Sequence, residues 1–136
     1  MNIAIVGATG NVGRKILEVL EKKELSIDNL YLLASSRSAG SKINFLGNEH
    51  EVLNLETFDF SRAKITFFAA GGKISEKFAE KAAEHSLVID NSSFYRMDPD
   101  VPLIVPQVNS DHLNNIKKNI IANPNCSTAQ LVIALK

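Results

Sequence analysis

Asn2 to Leu20 constrains the fold more than any other stretch. Ile3, Ala4, Ile5 and Val6 read as a short buried strand. Gly7-Ala8-Thr9-Gly10-Asn11-Val12-Gly13 follows at once, and Val12, Ile16, Leu17, Val19 and Leu20 then recur at helical spacing. A strand that feeds a helix through glycines leaves free backbone N–H groups at the helix start. That end carries roughly half a positive charge and suits a phosphate. Glycines also let a backbone approach a pyrophosphate without a Cβ in the way. The spacing is Gly-x-x-Gly-x-x-Gly, not Gly-x-Gly-x-x-Gly, so a plain tight turn with Gly13 serving helix–sheet contact is the competing reading. The strand before and the helix after favour a dinucleotide site at this loop, which opens at Gly7.

The rest of the chain fits an α/β class. Its 136 residues suffice for one domain that buries roughly two-thirds of its unfolded surface. Fifteen Lys and Arg balance fifteen Asp and Glu, so no basic excess points to nucleic acid. No apolar run reaches the ~18 residues of a membrane span. A core strand starting at residue 2 leaves no room for a signal peptide. A single cysteine excludes an internal disulfide and suits a reducing, cytoplasmic setting. The three histidines, His50, His85 and His112, are scattered, so no metal site is expected.

Leu30–Ala34, Leu87–Ile89 and Ile120–Ala122 are continuous apolar runs and Ile65–Ala70 is apolar but for Thr66, as suits a parallel sheet covered on both faces. The first helix is expected over Val12–Lys23, closing on Glu21, Lys22, Lys23 and Glu24. Residues 42–46 and 51–55 are expected to be strands flanking a turn at Gly47-Asn48-Glu49-His50, with His50 solvated and with Phe58 and Phe60 under the sheet edge. Gly71-Gly72 ends the third long strand, and Ser75 is a candidate cap for the next helix, whose inner face is Phe78, Ala79, Ala82 and Ala83. Met97–Asn109 carries three prolines and reads as an extended crossing segment without helix, followed by a short helix capped by Ser110. The expected architecture is a Rossmann-type doubly wound, mostly parallel sheet with helices on both faces.

Three polar groups stand at the carboxyl ends of these strands, where such sheets keep their sites. After the second strand an NAD site usually carries an acid for the ribose hydroxyl. This chain has Ser35-Ser36-Arg37-Ser38-Ala39-Gly40 instead. A guanidinium and hydroxyls suit a 2′-phosphate, so the expected cofactor is NADP, with Arg37 and Ser38 as its contacts. An ordinary solvated Ser/Gly loop is the alternative. Arg96, in the loop after Asp90, suits bidentate recognition of a phosphate; a structural pair with Asp98 or Asp100 is the alternative. Cys126 repeats the opening geometry of strand, tight turn and helix start. Helix N–H groups there favour the nucleophilic thiolate. The Cys126 N–H and the Asn125 side chain could hold an oxyanion. A lone cysteine is otherwise a small buried hydrophobe. The helix that follows, Ala129 to Leu135, is apolar almost all round and expects protein on every side.

Together these motifs resemble the aspartate-semialdehyde dehydrogenase family. The matching stretches are residues 7–13, 34–40, 90–93 with Arg96, 101–109 (Val-Pro-Leu-Ile-Val-Pro-Gln-Val-Asn) and 121–128 (Ile-Ala-Asn-Pro-Asn-Cys-Ser-Thr), in the family's order along nearly the whole chain. The resemblance implies NADP-dependent interconversion of 4-aspartyl phosphate and aspartate 4-semialdehyde, a step of amino-acid biosynthesis. It implies that Cys126 is the acyl-thioester nucleophile, that Arg96 binds the phosphate, and that Thr9, Gly10, Asn11, Val12, Arg37 and Ser38 contact NADP. The family continues past its cysteine into a second domain that supplies a catalytic histidine, a substrate arginine and much of the dimer interface, and the complete enzyme is expected to be a homodimer or homotetramer. No histidine follows Cys126, so residues 1–136 are expected to be the N-terminal NADP-binding part, inactive alone. Two rival readings remain: an N-acetyl-glutamyl-phosphate reductase-like enzyme with the same thioester chemistry, and a non-catalytic NADP-binding module.

Overall fold

A computed structural model of the chain describes residues 1–23 and 25–136; Glu24, expected to close the first helix, lies outside the described residues. These residues form seven strands, β1 (Asn2–Val6), β2 (Asn29–Ala34), β3 (Lys42–Phe45), β4 (Asn48–Asn54), β5 (Ile65–Phe68), β6 (Leu87–Asp90) and β7 (Ile120–Ala122). Four α-helices accompany them: α1 (Asn11–Lys22), α2 (Gly72–Ala83), α3 (Pro106–Asn109) and α4 (Cys126–Leu135). The strands make one sheet in the order β3-β4-β2-β1-β5-β6-β7. Every pairing is parallel except the β3–β4 hairpin at one edge. The order reverses direction at β1, so the crevice beyond its carboxyl end is where such a sheet binds ligands.

Alternation along the strands divides the core in two. Ala4, Val6, Leu33, Phe68 and Val88 face α2 and are fully buried. Ile3, Ile5, Leu32 and Val52 face α1 and are buried with Leu17 and Leu20 of that helix. Cover on the α1 side ends early. Ile65, Phe67, Leu87 and Ile89 lie beside Ile3 and Ile5 in register, yet all four are only half-buried. That half of the sheet lacks a helix among the described residues.

Four local expectations are corrected. The hairpin turns at Leu46 and Gly47 alone, both at positive φ, so Asn48, Glu49 and His50 belong to β4 and His50 sits half-buried, edge-on to the Phe45 ring. Phe58 and Phe60 lie against Tyr31 and Phe68 under the centre of the sheet, not its edge. Pro106–Asn109 is a short helix, because proline at its first position needs no N–H partner. Ser110 caps nothing: the short 3-10 helix over Ser110–Asn115 is preceded by Asn109, whose side chain accepts from the Val105 N–H.

Candidate functional site

The turn from β1 to α1 is built around close approaches. Gly7 has φ +85°, and a Cβ there would lie 2.9 Å from the Ala69 backbone. A Cβ on Gly13 would lie 2.3 Å from the Gly7 carbonyl oxygen. The first turn of α1 therefore rests directly on the strand that leads into it. Gly7 and Ala8 donate to the Leu33 carbonyl, and Gly10 donates to the Gly7 carbonyl. Beyond them the ladder stops. Gly10 precedes α1 with no side-chain cap and no acid follows in the first turn. Among the described residues none accepts from the N–H groups of Asn11, Val12 or Gly13. Three parallel donors at a helix start, over glycines, are a seat for an anionic oxygen.

Two cavities meet at this turn. One, about 360 Å³, is walled by Gly7, Thr9 and Gly10 on one side and by Ser35, Ser36 and Ala69 on others, with Leu55, Glu56, Ile74 and Phe78 completing it. The second, about 490 Å³ and strongly apolar, runs along α1 past Asn11, Val12 and Ile16 to Phe67, Asn91 and Cys126. The glycine turn and the cysteine thus open onto one continuous edge of the sheet, with α1's first residues between them. Arg37 and Ser38 stand one and two residues beyond the wall that Ser35 and Ser36 form. They lie on a turn closed by Ser38 and Ala39 N–H bonds to the Ser35 carbonyl, and Arg37 is exposed.

Cys126 is exposed, not buried among apolar side chains of the described residues. Its helix begins at the cysteine itself. Asn125 caps it, accepting at Oδ1 from the Ser127 N–H at 2.9 Å, with the Cys126 Sγ 4.0 Å from the same oxygen. Capping occupies Oδ1 and leaves the Asn125 amide N–H groups available to a ligand. The helix behind the thiol touches α3 but is mostly open to solvent: Leu131 is 57% exposed and Leu135 74%.

Arg96 is half-buried and does not pair with Asp98 or Asp100. Those acids bind Lys118 and Lys117, each at 2.9 Å. The Lys118 ammonium and the Asp100 N–H hold the Asp98 carboxyl below its ordinary range. Arg96 instead donates from Nε to the Asn123 carbonyl at 2.9 Å and from Nη2 to the Asn91 carbonyl at 3.2 Å. Both partners are neutral, so the guanidinium keeps its charge uncompensated among the described residues. Of its five N–H donors, three remain for a ligand.

Ser75 is not a cap. Gly71, at φ +87° and four residues earlier, is the residue from which α2 starts, and the buried Ser75 hydroxyl donates to Asp90 Oδ1 at 2.8 Å. Asp90, fully buried at the end of β6, also accepts from the Ser92 N–H and hydroxyl. This network, missed from sequence, fixes the start of the loop that delivers Arg96. Also missed were Leu55, Glu56 and Ile74, which reach the first cavity from segments that carry no motif. Among the described residues no group of three or more His, Cys, Asp or Glu is placed to hold a metal. No helix among them is long and apolar enough to cross a membrane.

Strand order, a crevice at the reversal point and an uncapped helix start over glycines define the class: a Rossmann-type dinucleotide-binding domain. The sequence profile of the family described as "Semialdehyde dehydrogenase, NAD binding domain" matches residues 2–116, and the chain belongs to that family. It is 50% identical over 137 residues to an aspartate-semialdehyde dehydrogenase of Shewanella sp. (strain DB6705), covering 99% of this chain and 40% of that protein. The crystal structure of aspartate semialdehyde dehydrogenase II complexed with ASA from Vibrio cholerae superposes with a TM-score of 0.96 at 51% identity, covering 99% of this chain and 45% of that one. That of the Candida albicans enzyme with NADP superposes with a TM-score of 0.82 at 30% identity, covering 100% of this chain and 46% of that one. The chain therefore spans about 40% of the length of the curated relative it matches.

Proposed function

We propose that residues 1–136 are the NADP-binding part of an aspartate-semialdehyde dehydrogenase and carry its nucleophile, Cys126. The observation that carries this is the shared sheet edge: the start of α1, with the orphan N–H groups of Asn11–Gly13, and an exposed thiol flank one trough that both Asn11 and Cys126 line. The residues fit the cofactor. Asn11, Val12 and Gly13 would hold the pyrophosphate with Thr9 and Gly10 beside it, Ser35 and Ser36 would face the ribose, and Arg37 and Ser38 would take the 2′-phosphate. The dinucleotide, when bound, supplies the hydride that converts a thioester to the aldehyde.

This chain's own part is the acyl transfer. The Cys126 thiolate attacks the acyl carbon of 4-aspartyl phosphate. The carbonyl electrons move to oxygen, where the Cys126 N–H and the Asn125 amide stabilise them. That attack forms the C–S bond; collapse of the intermediate re-forms the carbonyl, breaks the C–O bond to the phosphate and releases inorganic phosphate with the electron pair of that bond. The three open donors of Arg96 take the phosphate oxygens, a planar charge-assisted match. A second region, within the roughly 60% of the relatives that this chain does not span, would supply the proton-transfer histidine and the substrate arginine. It would also cover the half-open face of Ile65, Phe67, Leu87 and Ile89 and the apolar helix α4, in a cytoplasmic homodimer or homotetramer. The same 50% identity favours the aspartyl over the N-acetyl-glutamyl substrate.

The test is substrate-dependent NADP reduction by the longer protein that carries this domain. Cys126→Ala abolishes turnover there while NADP still binds. The purified 136-residue chain alone turns over nothing, and robust activity from it contradicts the reading.

A further inference from the structure

The site has two halves on two different loops, and something must set the distance between them. Arg96 hangs on the loop after β6, Cys126 on the loop after β7. The last paired residues of these strands are Asp90 and Ala122. Asn91 and Asn123 are the next residue on each, so register places them side by side. Their backbones extend the sheet by one more step: Asn91 donates to the Phe68 carbonyl at 2.9 Å and Asn123 to the Asp90 carbonyl at 2.8 Å. Their side chains meet, with the Asn123 amide donating to Asn91 Oδ1. Their two main-chain carbonyls are the two acceptors that hold Arg96. Asn91 also lines the trough that ends at Cys126.

We infer that Asn91 and Asn123 form a clasp that positions Arg96 against Cys126. Both are positioning residues, not catalytic ones. The geometry shows how. The clasp takes the Nε edge of the guanidinium and turns the opposite edge outward. Three peptide units separate Asn123 from Cys126, so their Cα atoms lie no more than about 11 Å apart. The guanidinium bonded to the Asn123 carbonyl and the thiol are thus separated by a distance comparable with the Debye length of about 10 Å at 0.1 M salt. With the side-chain link broken, the two carbonyls part. Arg96 is then free to swing toward Asp98 or Asp100, two and four residues along, and its charge is lost to the thiol. The inference rests on the reading of Arg96 and Cys126 given above and adds the two asparagines to it.

Cys126 is the sole cysteine, so its alkylation reads the local field without any turnover. The measurement is the ratio of rates with iodoacetate, an anion, and iodoacetamide, its neutral counterpart, on this chain. The urea-unfolded chain is the reference. A general loosening of the loop moves both rates together; only a change in nearby charge moves the ratio. The native chain should favour iodoacetate about tenfold over the reference. Arg96→Gln should remove that preference. Asn91→Ala and Asn123→Ala should each lower it about threefold or more, and the double variant should lower it no further than either single one, because both remove the same bond. Either single variant suffices if the other fails to fold. Asparagine variants that keep the full preference while Arg96→Gln loses it overturn the clasp and leave the reading of the site intact. No loss in Arg96→Gln overturns both.

Discussion

Two strand-to-helix turns, β1 to α1 and β7 to α4, share a layout and differ in almost everything else. In the first the helix is pressed onto the sheet through Gly7 and Gly13, and its leading N–H groups are left open. In the second Asn125 caps the helix, the N–H of Ser127 is taken, and the side chain at the first position stands in solvent. One turn offers backbone to a ligand; the other offers a side chain. A site for a diphosphate needs donors without side chains in front of them. A site for a nucleophile needs one side chain aimed outward and its helix start tied down.

The largest effect should come from filling the tightest approach. Gly13→Ala puts a Cβ against three backbone atoms, none of which can move alone. A loss of about 3 kcal/mol and a fall in Tm of roughly 10 °C are expected by thermal melt. An unchanged Tm would break the claim that α1 is seated on the turn. Gly10→Ala sharpens the comparison from the other side. Its φ of −80° suits any residue and the nearest atom to the added Cβ is 3.4 Å away. Stability should change by less than about 0.5 kcal/mol. NADP affinity, measured by calorimetry, should fall about tenfold, because the methyl stands where the pyrophosphate must approach.

At the other turn the effects on the fold are smaller. Asn125→Ala removes a cap of about 1 kcal/mol from α4, visible as lost helical circular dichroism. The Tm should scarcely move, since no α4 residue is buried. The smallest effect concerns pH. Asp98 is held below its ordinary value in the fold, so its pair with Lys118 stabilises above about pH 4 and is lost as pH falls through the lowered value. Lys118 is raised, by Asp98 first, so the same pair is lost only as pH climbs past the ordinary lysine range. Asp98→Asn should lower stability slightly at neutral pH, leave it unchanged below the lowered Asp98 value, and so flatten the acid limb of the stability curve.

The first turn was legible because its signal is contiguous: strand, glycines and helix lie within nineteen residues. Strand positions were legible for the same reason. Ser75 was misread because a serine in the first turn of a helix looks alike whether it caps the helix or reaches across to a neighbouring strand. The positive φ of Gly71, which sets the true start, is not written in the residue type. The hairpin turn was set too wide because Asn48-Glu49-His50 is polar, while a hairpin strand exposed on one face tolerates polar residues. Arg96 was recognised but its anchors were not. They are main-chain carbonyls of residues 5 before and 27 after it, brought together only by the register of β6 on β7.

The central claim is that the glycine turn and the cysteine turn serve one bound dinucleotide. Amide chemical shifts of this chain during titration with NADP test it most directly. The account predicts the largest shifts at Thr9, Asn11, Val12 and Gly13, with Ser35–Ser38 and Cys126 moving along the same binding curve. Shifts confined to other parts of the surface, with residues 9–13 silent at millimolar NADP, would contradict it.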